Sequence, residues 1–192
     1  MTPPELILAS ASPRRAEILR TLGLRHRVIP ADIQEDALAS ESAEEGVERL
    51  AREKAHAVAS GHRGSWVLAG DTIVLRDGVL LGKPGGQEEA VAMLLSLAGR
   101  THEVASGLAL VTPEGVGSGV QVTQVRFRSF DVALARAYVA TGEPMDKAGG
   151  YGIQGKGGAL VEEIRGDYSG VVGLPIPLLV RLLGEAGRPY RF

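Results

Sequence analysis

A short apolar run, Leu6-Ile7-Leu8-Ala9, leads into Ser10-Ala11-Ser12-Pro13-Arg14-Arg15 and then into the helical pattern Ala16, Ile18, Leu19, Leu22. This order predicts a strand that turns straight into a helix. Ser12 suits the N-cap, and Pro13 suits the first helical position, where no backbone N–H is needed. Arg14 and Arg15 then fall in the first turn, at the positive end of the helix dipole, where cations are unfavourable unless an anion is bound. Free N–H groups, serine hydroxyls and two guanidinium forks at one point make an anion site, with phosphate as the best fit. The alternative for the arginine pair is two solvated surface residues.

The chain has 192 residues, enough to bury roughly 70% of its unfolded surface in a single domain spanning 1–192. Its net charge of −2 provides no electrostatic footprint for nucleic acid or an anionic membrane. Phosphate chemistry must therefore come from local cations. The absence of cysteine excludes disulfides, thiolate catalysis and cysteine-based metal centres. No basic-then-apolar leader and no apolar run of about 18 residues is read, so a cytoplasmic location is the expectation.

The elements read strand, helix, strand, helix, hairpin, helix, hairpin, helix, glycine-rich loop, strand, helix, an α/β order. Ser42-Ala43-Glu44-Glu45 is a capping box that opens a helix with the apolar stripe Val47, Leu50, Ala51, Ala55, Val58. Lys54 lies on that stripe, where it either snorkels outward or projects inward as a fixed charge. Trp66-Val67-Leu68-Ala69 and Ile73-Val74-Leu75 read as buried strand around Gly70-Asp71-Thr72. Gly-Asp usually marks a turn, but the apolar run resumes at once, which disfavours one and sets Asp71 within or beside the core. A carboxylate there is costly unless paired or metal-bound. Asp77-Gly78 suits a two-residue hairpin turn that pairs Arg76 with Val79. Counting back sets Lys83 opposite Thr72 and beside Asp71.

Between Gly142 and Gly173 the chain is dense in glycine and contains Gly150-Tyr151-Gly152-Ile153-Gln154-Gly155. Without a strand before it or a helix after it, this G-x-G-x-x-G is not a dinucleotide fingerprint. Such a loop lets backbone approach a ligand, with the Gln154 amide offering donor and acceptor to a base edge. A turn-rich surface loop is the other reading. Glu35 lies in an acidic loop after Val28-Ile29, where one carboxylate can help hold Mg²⁺. The four histidines have no metal-ligand spacing, and Tyr138 reads as helix packing.

Five ordered motifs, Ser10-Ala11-Ser12-Pro13-Arg14-Arg15, Arg52-Glu53-Lys54-Ala55, Gly70-Asp71-Thr72, Gly82-Lys83-Pro84 and Val172-Gly173-Leu174-Pro175, resemble those of Maf-like proteins over almost the whole chain. The resemblance implies an elongated mixed-sheet α/β fold like that of the inosine-triphosphate pyrophosphatases, with a cleft between two lobes. It implies hydrolysis of a nucleoside triphosphate to the monophosphate and pyrophosphate with Mg²⁺ or Mn²⁺. Asp71, Lys54 and Lys83 are the expected catalytic residues, and Ser10, Arg14, Arg15, Thr72 and Gln154 the expected substrate-binding ones. Asp71 and Glu35 are the expected metal ligands, although Gln34 stands where relatives often carry an acidic residue. Arg14, Thr72 and Gln154 match the branch acting on dTTP and UTP, whereas the 7-methyl-GTP branch carries Trp, Gln and Glu there. Asp146-Lys147-Ala148-Gly149 resembles the same dTTP/UTP branch. The expected partner is the nucleotide substrate, with no nucleic acid or membrane, and a homodimer follows from the resemblance alone. The rival readings are a nucleotide-binding regulator of septum formation without turnover and a pyrophosphatase with purine preference.

Overall fold

The computed structural model describes residues 5–36, 38 and 41–192. The first strand, β1 (Leu6–Leu8), is buried along its length and passes into α1 (Pro13–Thr21). As the sequence predicts, Ser12 is the N-cap, its hydroxyl accepting the Arg15 N–H at 3.4 Å. β2 (Arg27–Val28) follows, then α2 (Ala43–Ala59), which opens on the complete capping box of Ser42 and Glu45. β3 (Trp66–Arg76) turns through Asp77-Gly78 into β4 (Val79–Leu81). After α3 (Gln87–Leu97) come the long hairpin strands β5 (Thr101–Thr112) and β6 (Gly115–Phe127) and then α4 (Val132–Val139).

The glycine-dense stretch folds as three 3-10 turns, Glu143–Asp146, Ala148–Gly150 and Lys156–Leu160, before β7 (Val161–Arg165). α5 (Tyr168–Val172) is a helix that the periodicity does not announce: at five residues it is too short to show a stripe. α6 (Ile176–Glu185) closes the chain and stops before Gly187, as expected.

The strands form one seven-stranded sheet in the order β2-β1-β3-β5-β6-β7, with β4 paired to β3. β1 is parallel to β2 and β3, while the β3–β4 and β6–β7 pairs are antiparallel, so the sheet is mixed. The mixed α/β class expected from the sequence is thus the class observed. β1 lies between strands that follow it in sequence, and parallel neighbours of that kind require a crossover, here supplied by α1 and α2. The β3–β4 turn has φ of 52° at Asp77 and 77° at Gly78, the paired positive values of a type I′ hairpin. The Arg76–Val79 pairing is the one predicted.

By its internal contacts the chain divides into two units. The first holds Met1–Asp71, Ser106–Gln121 and Gly173–Phe192, and the second Thr72–Ala105 and Val122–Val172. Within the first, Ile7 and Ala9 of the β1 segment, Val67 and Ala69 of β3, and Ala51, Ala55 and Val58 of α2 form one core cluster. Small residues bring helix and sheet close together. A Cβ on Gly107 would stand 2.5 Å from the Val47 carbonyl oxygen of α2, and one on Gly70 3.1 Å from the Gly107 carbonyl oxygen. In the second unit, Val74, Leu94, Leu97, Val125, Phe127, Ala135, Tyr138 and Tyr151 are among the buried residues that form its core. Among the described residues no helix is long and apolar enough to cross a membrane.

Candidate active site

Side chains alternate along a strand, so Val67, Ala69 and Asp71 share one face of β3. Val67 and Ala69 pack against Ala51, Ala55 and Val58 of α2, and the apolar stripe continues into a pair of charges. Lys54, on the same helix face, donates from Nζ to Asp71 Oδ1 at 2.6 Å. Its side chain is 11% exposed and that of Asp71 13%, so Lys54 takes the inward alternative rather than snorkelling out. The same Nζ lies 2.8 Å from Glu35 Oε1, whose side chain is 55% exposed. Two carboxylates, one fixed on a buried strand and one on a loop, therefore converge on a single cationic point.

The loop between β1 and α1 builds the second half of the site. Ser10 is buried, and its hydroxyl accepts the Ser12 N–H at 3.2 Å and Arg15 Nη1 at 2.9 Å. Arg15 also donates from Nε to the Gly173 carbonyl oxygen at 2.7 Å. Burial pushes the Arg15 pKa down, Asp71 and Glu35 oppose that shift, and neighbouring Arg14 adds to it. The guanidinium is thus desolvated beside a like charge at a helix N-terminus, an arrangement whose cost falls when an anion arrives. Gly70 leaves room for it: a Cβ there would stand 3.3 Å from Arg15 Nε. The glycine preceding Asp71 accordingly serves the arginine, a role that the Gly-Asp-Thr motif alone does not show.

Of the residues singled out in the sequence, Ser10, Arg15, Lys54, Asp71 and Glu35 are linked by these contacts and electrostatic interactions, with Arg14 beside Arg15. Thr72, half-buried, is the next residue of β3 and belongs to the second unit. In that unit Lys83 is exposed, two residues beyond the last β3–β4 pair, Val74↔Leu81. Gln154 is exposed in the turn of residues 153–155. Gly173 was visible in the sequence only as part of a motif, and its structural role is to present a carbonyl oxygen to Arg15.

Among the described residues no three histidine, cysteine or carboxylate side chains gather as a metal site. Asp71 and Glu35 do fit as a partial donor set. Both are hard oxygen donors converging on one cation, and Mg²⁺ is commonly held by one or two carboxylates plus substrate phosphates.

The family model for Maf-like protein matches residues 5–186. The chain belongs to the Maf family. The dTTP/UTP pyrophosphatase of Myxococcus xanthus is 53% identical over 184 residues, covering 96% of this chain and 93% of that protein. The dTTP/UTP pyrophosphatase of Desulfotalea psychrophila is also 53% identical, over 93% of this chain and 92% of its own. That of Deinococcus radiodurans is 45% identical over 97% and 95%. Among solved structures, the Staphylococcus aureus Ham1 protein aligns with a TM-score of 0.48 at 16% identity, over 97% of this chain and 92% of that one. Within this Maf chain, the charged cluster draws on the serine-arginine, lysine and Gly-Asp-Thr motifs, with Glu35 added from the acidic loop.

Proposed function

We propose that this protein is a nucleoside triphosphate pyrophosphatase that hydrolyses dTTP and UTP to the monophosphate and pyrophosphate. The reaction type rests on one observation above the rest: the buried Asp71–Lys54 pair, joined electrostatically to Arg15 at the N-terminus of α1. The choice of substrate rests on relatives about half identical over nearly their full length, together with Arg14, Thr72 and Gln154.

In this reading Ser10, Arg14, Arg15 and the first N–H groups of α1 hold the triphosphate. Asp71, oriented by Lys54, takes a proton from the attacking water as its oxygen bonds to the α-phosphorus. The bond from that phosphorus to the α–β bridging oxygen breaks, and pyrophosphate leaves with the electron pair. Lys54 and Lys83 offset the charge that develops on the leaving oxygens. Such chemistry depends chiefly on positioning and charge stabilisation, which suits a site made of fixed cations and carboxylates. Asp71 and Glu35 would hold Mg²⁺ or Mn²⁺, which when bound with phosphate oxygens supplies Lewis-acid neutralisation of their charge. Gln154 reads the pyrimidine edge.

Pyrophosphate release from dTTP, UTP, CTP, GTP, ITP and 7-methyl-GTP, with Mg²⁺ or Mn²⁺, tests the proposal. Turnover centred on dTTP and UTP is the expected result. Turnover centred on a purine would keep the reaction and discard the specificity. Nucleotide binding without release from any of the panel would replace the enzyme with a sensor.

A further inference from the structure

The loop that carries Gln154 is held by a carboxylate and the tyrosine hydroxyl beside it. Glu143, in the first 3-10 turn after α4, accepts the Tyr138 hydroxyl at 2.8 Å and the Gly157 N–H at 3.0 Å, both on Oε1. Its Oε2 accepts the Lys156 N–H at 2.9 Å. Tyr138 is buried on α4, and its oxygen accepts the Gly152 N–H at 3.0 Å. Backbone groups on both sides of Gln154 are therefore tied to two adjoining side chains.

The glycines of the loop lie close against these groups. A Cβ on Gly155 would stand 2.5 Å from Glu143 Oε2, and one on Gly157 2.5 Å from the Tyr138 hydroxyl oxygen. Lys147 fixes the turn itself by donating from Nζ to the Glu143 carbonyl oxygen at 2.6 Å. Burial raises the Glu143 pKa, but the N–H groups of Gly157 and Lys156 and the Tyr138 hydroxyl outweigh it and leave the group lowered. The carboxylate is thus an ionised, acceptor-only hub, and its donors come from two separate parts of the chain, α4 and the Lys156–Gly157 backbone. An apolar side chain of similar size would fill the space but leave these N–H groups and the hydroxyl without an acceptor. What the hub adds is a fixed course for the backbone under an exposed glutamine.

We infer that Glu143 is a positioning residue for Gln154, holding the loop of residues 152–157 so that the Gln154 amide meets the pyrimidine edge already oriented. The inference rests on Gln154 being the residue that reads the base. Recognition by a preset amide costs less ordering on binding than recognition by a mobile one, so loss of the hub weakens discrimination rather than chemistry.

Glu143→Gln is the test, because an amide has one acceptor oxygen. It cannot serve Lys156 and the Gly157–Tyr138 side together, and its NH₂ must face a donor. Amide hydrogen exchange of the full chain without nucleotide should quicken about tenfold at Lys156 or Gly157, equivalent to one lost hydrogen bond. The preference for dTTP over dGTP in kcat/KM should fall by about the same factor, with the loss in the dTTP KM and kcat little changed. Tyr138→Phe, which removes the anchor of Gly152 and one donor to Glu143 but leaves the carboxylate in place, should act in the same direction and guards against a folding defect in the first variant. Unchanged exchange in both variants would overturn the inference. So would quickened exchange with undiminished dTTP preference, provided Gln154→Ala loses that preference. If Gln154→Ala keeps it, the reading of Gln154 itself is wrong, and the role given to Glu143 falls with it whatever the loop does.

Discussion

At Asp71 the chain holds a polar group still with regular structure and opposite charges: a strand supplies the carboxylate, a helix supplies Lys54, and the two meet at 2.6 Å. At Gln154 it relies instead on hydrogen bonds to loop backbone. There the backbone N–H groups of Gly152, Lys156 and Gly157 are gathered by Tyr138 and Glu143, with 3-10 turns on either side. The first arrangement carries charge into a desolvated place, where it is costly to assemble and strong once assembled. The second moves little charge and costs mainly the ordering of a glycine-rich segment. Strong electrostatics suit the phosphates, whose charge is the same in every nucleoside triphosphate. A preset loop suits the base, which differs from one nucleotide to the next.

The largest expected effect breaks the first arrangement at its centre. Asp71→Asn should retain the fold by circular dichroism and lose turnover about a thousandfold, the scale of a missing general base. Near-normal pyrophosphate release from that variant would remove Asp71 from its assigned role. Next comes Lys54→Met, which leaves the buried Asp71 carboxylate without its ammonium partner and should cost about 3 kcal/mol in urea unfolding. Adding Asp71→Asn to it should recover part of that loss, because the stranded charge goes too; strict additivity would show the pair to be uncoupled.

The most gradual effect belongs to the second unit, where burial pushes the pKa of His102 from 6.5 down to about 4. Its Nε2 lies 2.8 Å from the Tyr151 hydroxyl. The unfolded chain takes up this proton near pH 6.5 and the folded one only near pH 4, so the unfolded state binds more protons across that window. Stability should therefore fall as the pH drops through it. At about 1.4 kcal/mol per pH unit, the drop from 6.5 to about 4 amounts to about 3 kcal/mol, complete only at the acid end. His102→Phe should flatten that part of the slope when urea midpoints at about pH 7 and about pH 4.5 are compared. An unaltered slope would assign the acid sensitivity to other groups.

The same contrast explains what could be read from the chain. Asp71 was legible because a charge in the middle of an apolar run has few physical solutions. Lys54 was half legible, since its position on the stripe is visible but its direction is not. The Asp77-Gly78 turn was legible because few residue pairs tolerate two positive φ values. Glu143 was hidden because its partners are backbone N–H groups, which nearly every residue has and no residue name advertises. Tyr138 read as packing, and it is packed; only its hydroxyl carries the additional role. Gly70 and Gly107 were hidden for the opposite reason, because what matters there is the atom they lack.

At Gly107 helix α2 lies against the sheet with no side chain between them. Lys54 stands two helical turns beyond Val47, the residue whose carbonyl oxygen makes that approach, so the helix is a rigid ruler whose zero mark is this one backbone contact. A methyl group there acts as a shim: it cannot be absorbed by a rotamer and must lift the ruler. The reach of the ammonium toward its carboxylate is thereby gauged from a place that bears no charge. Variation at such a position would register as faulty catalysis with every catalytic side chain intact.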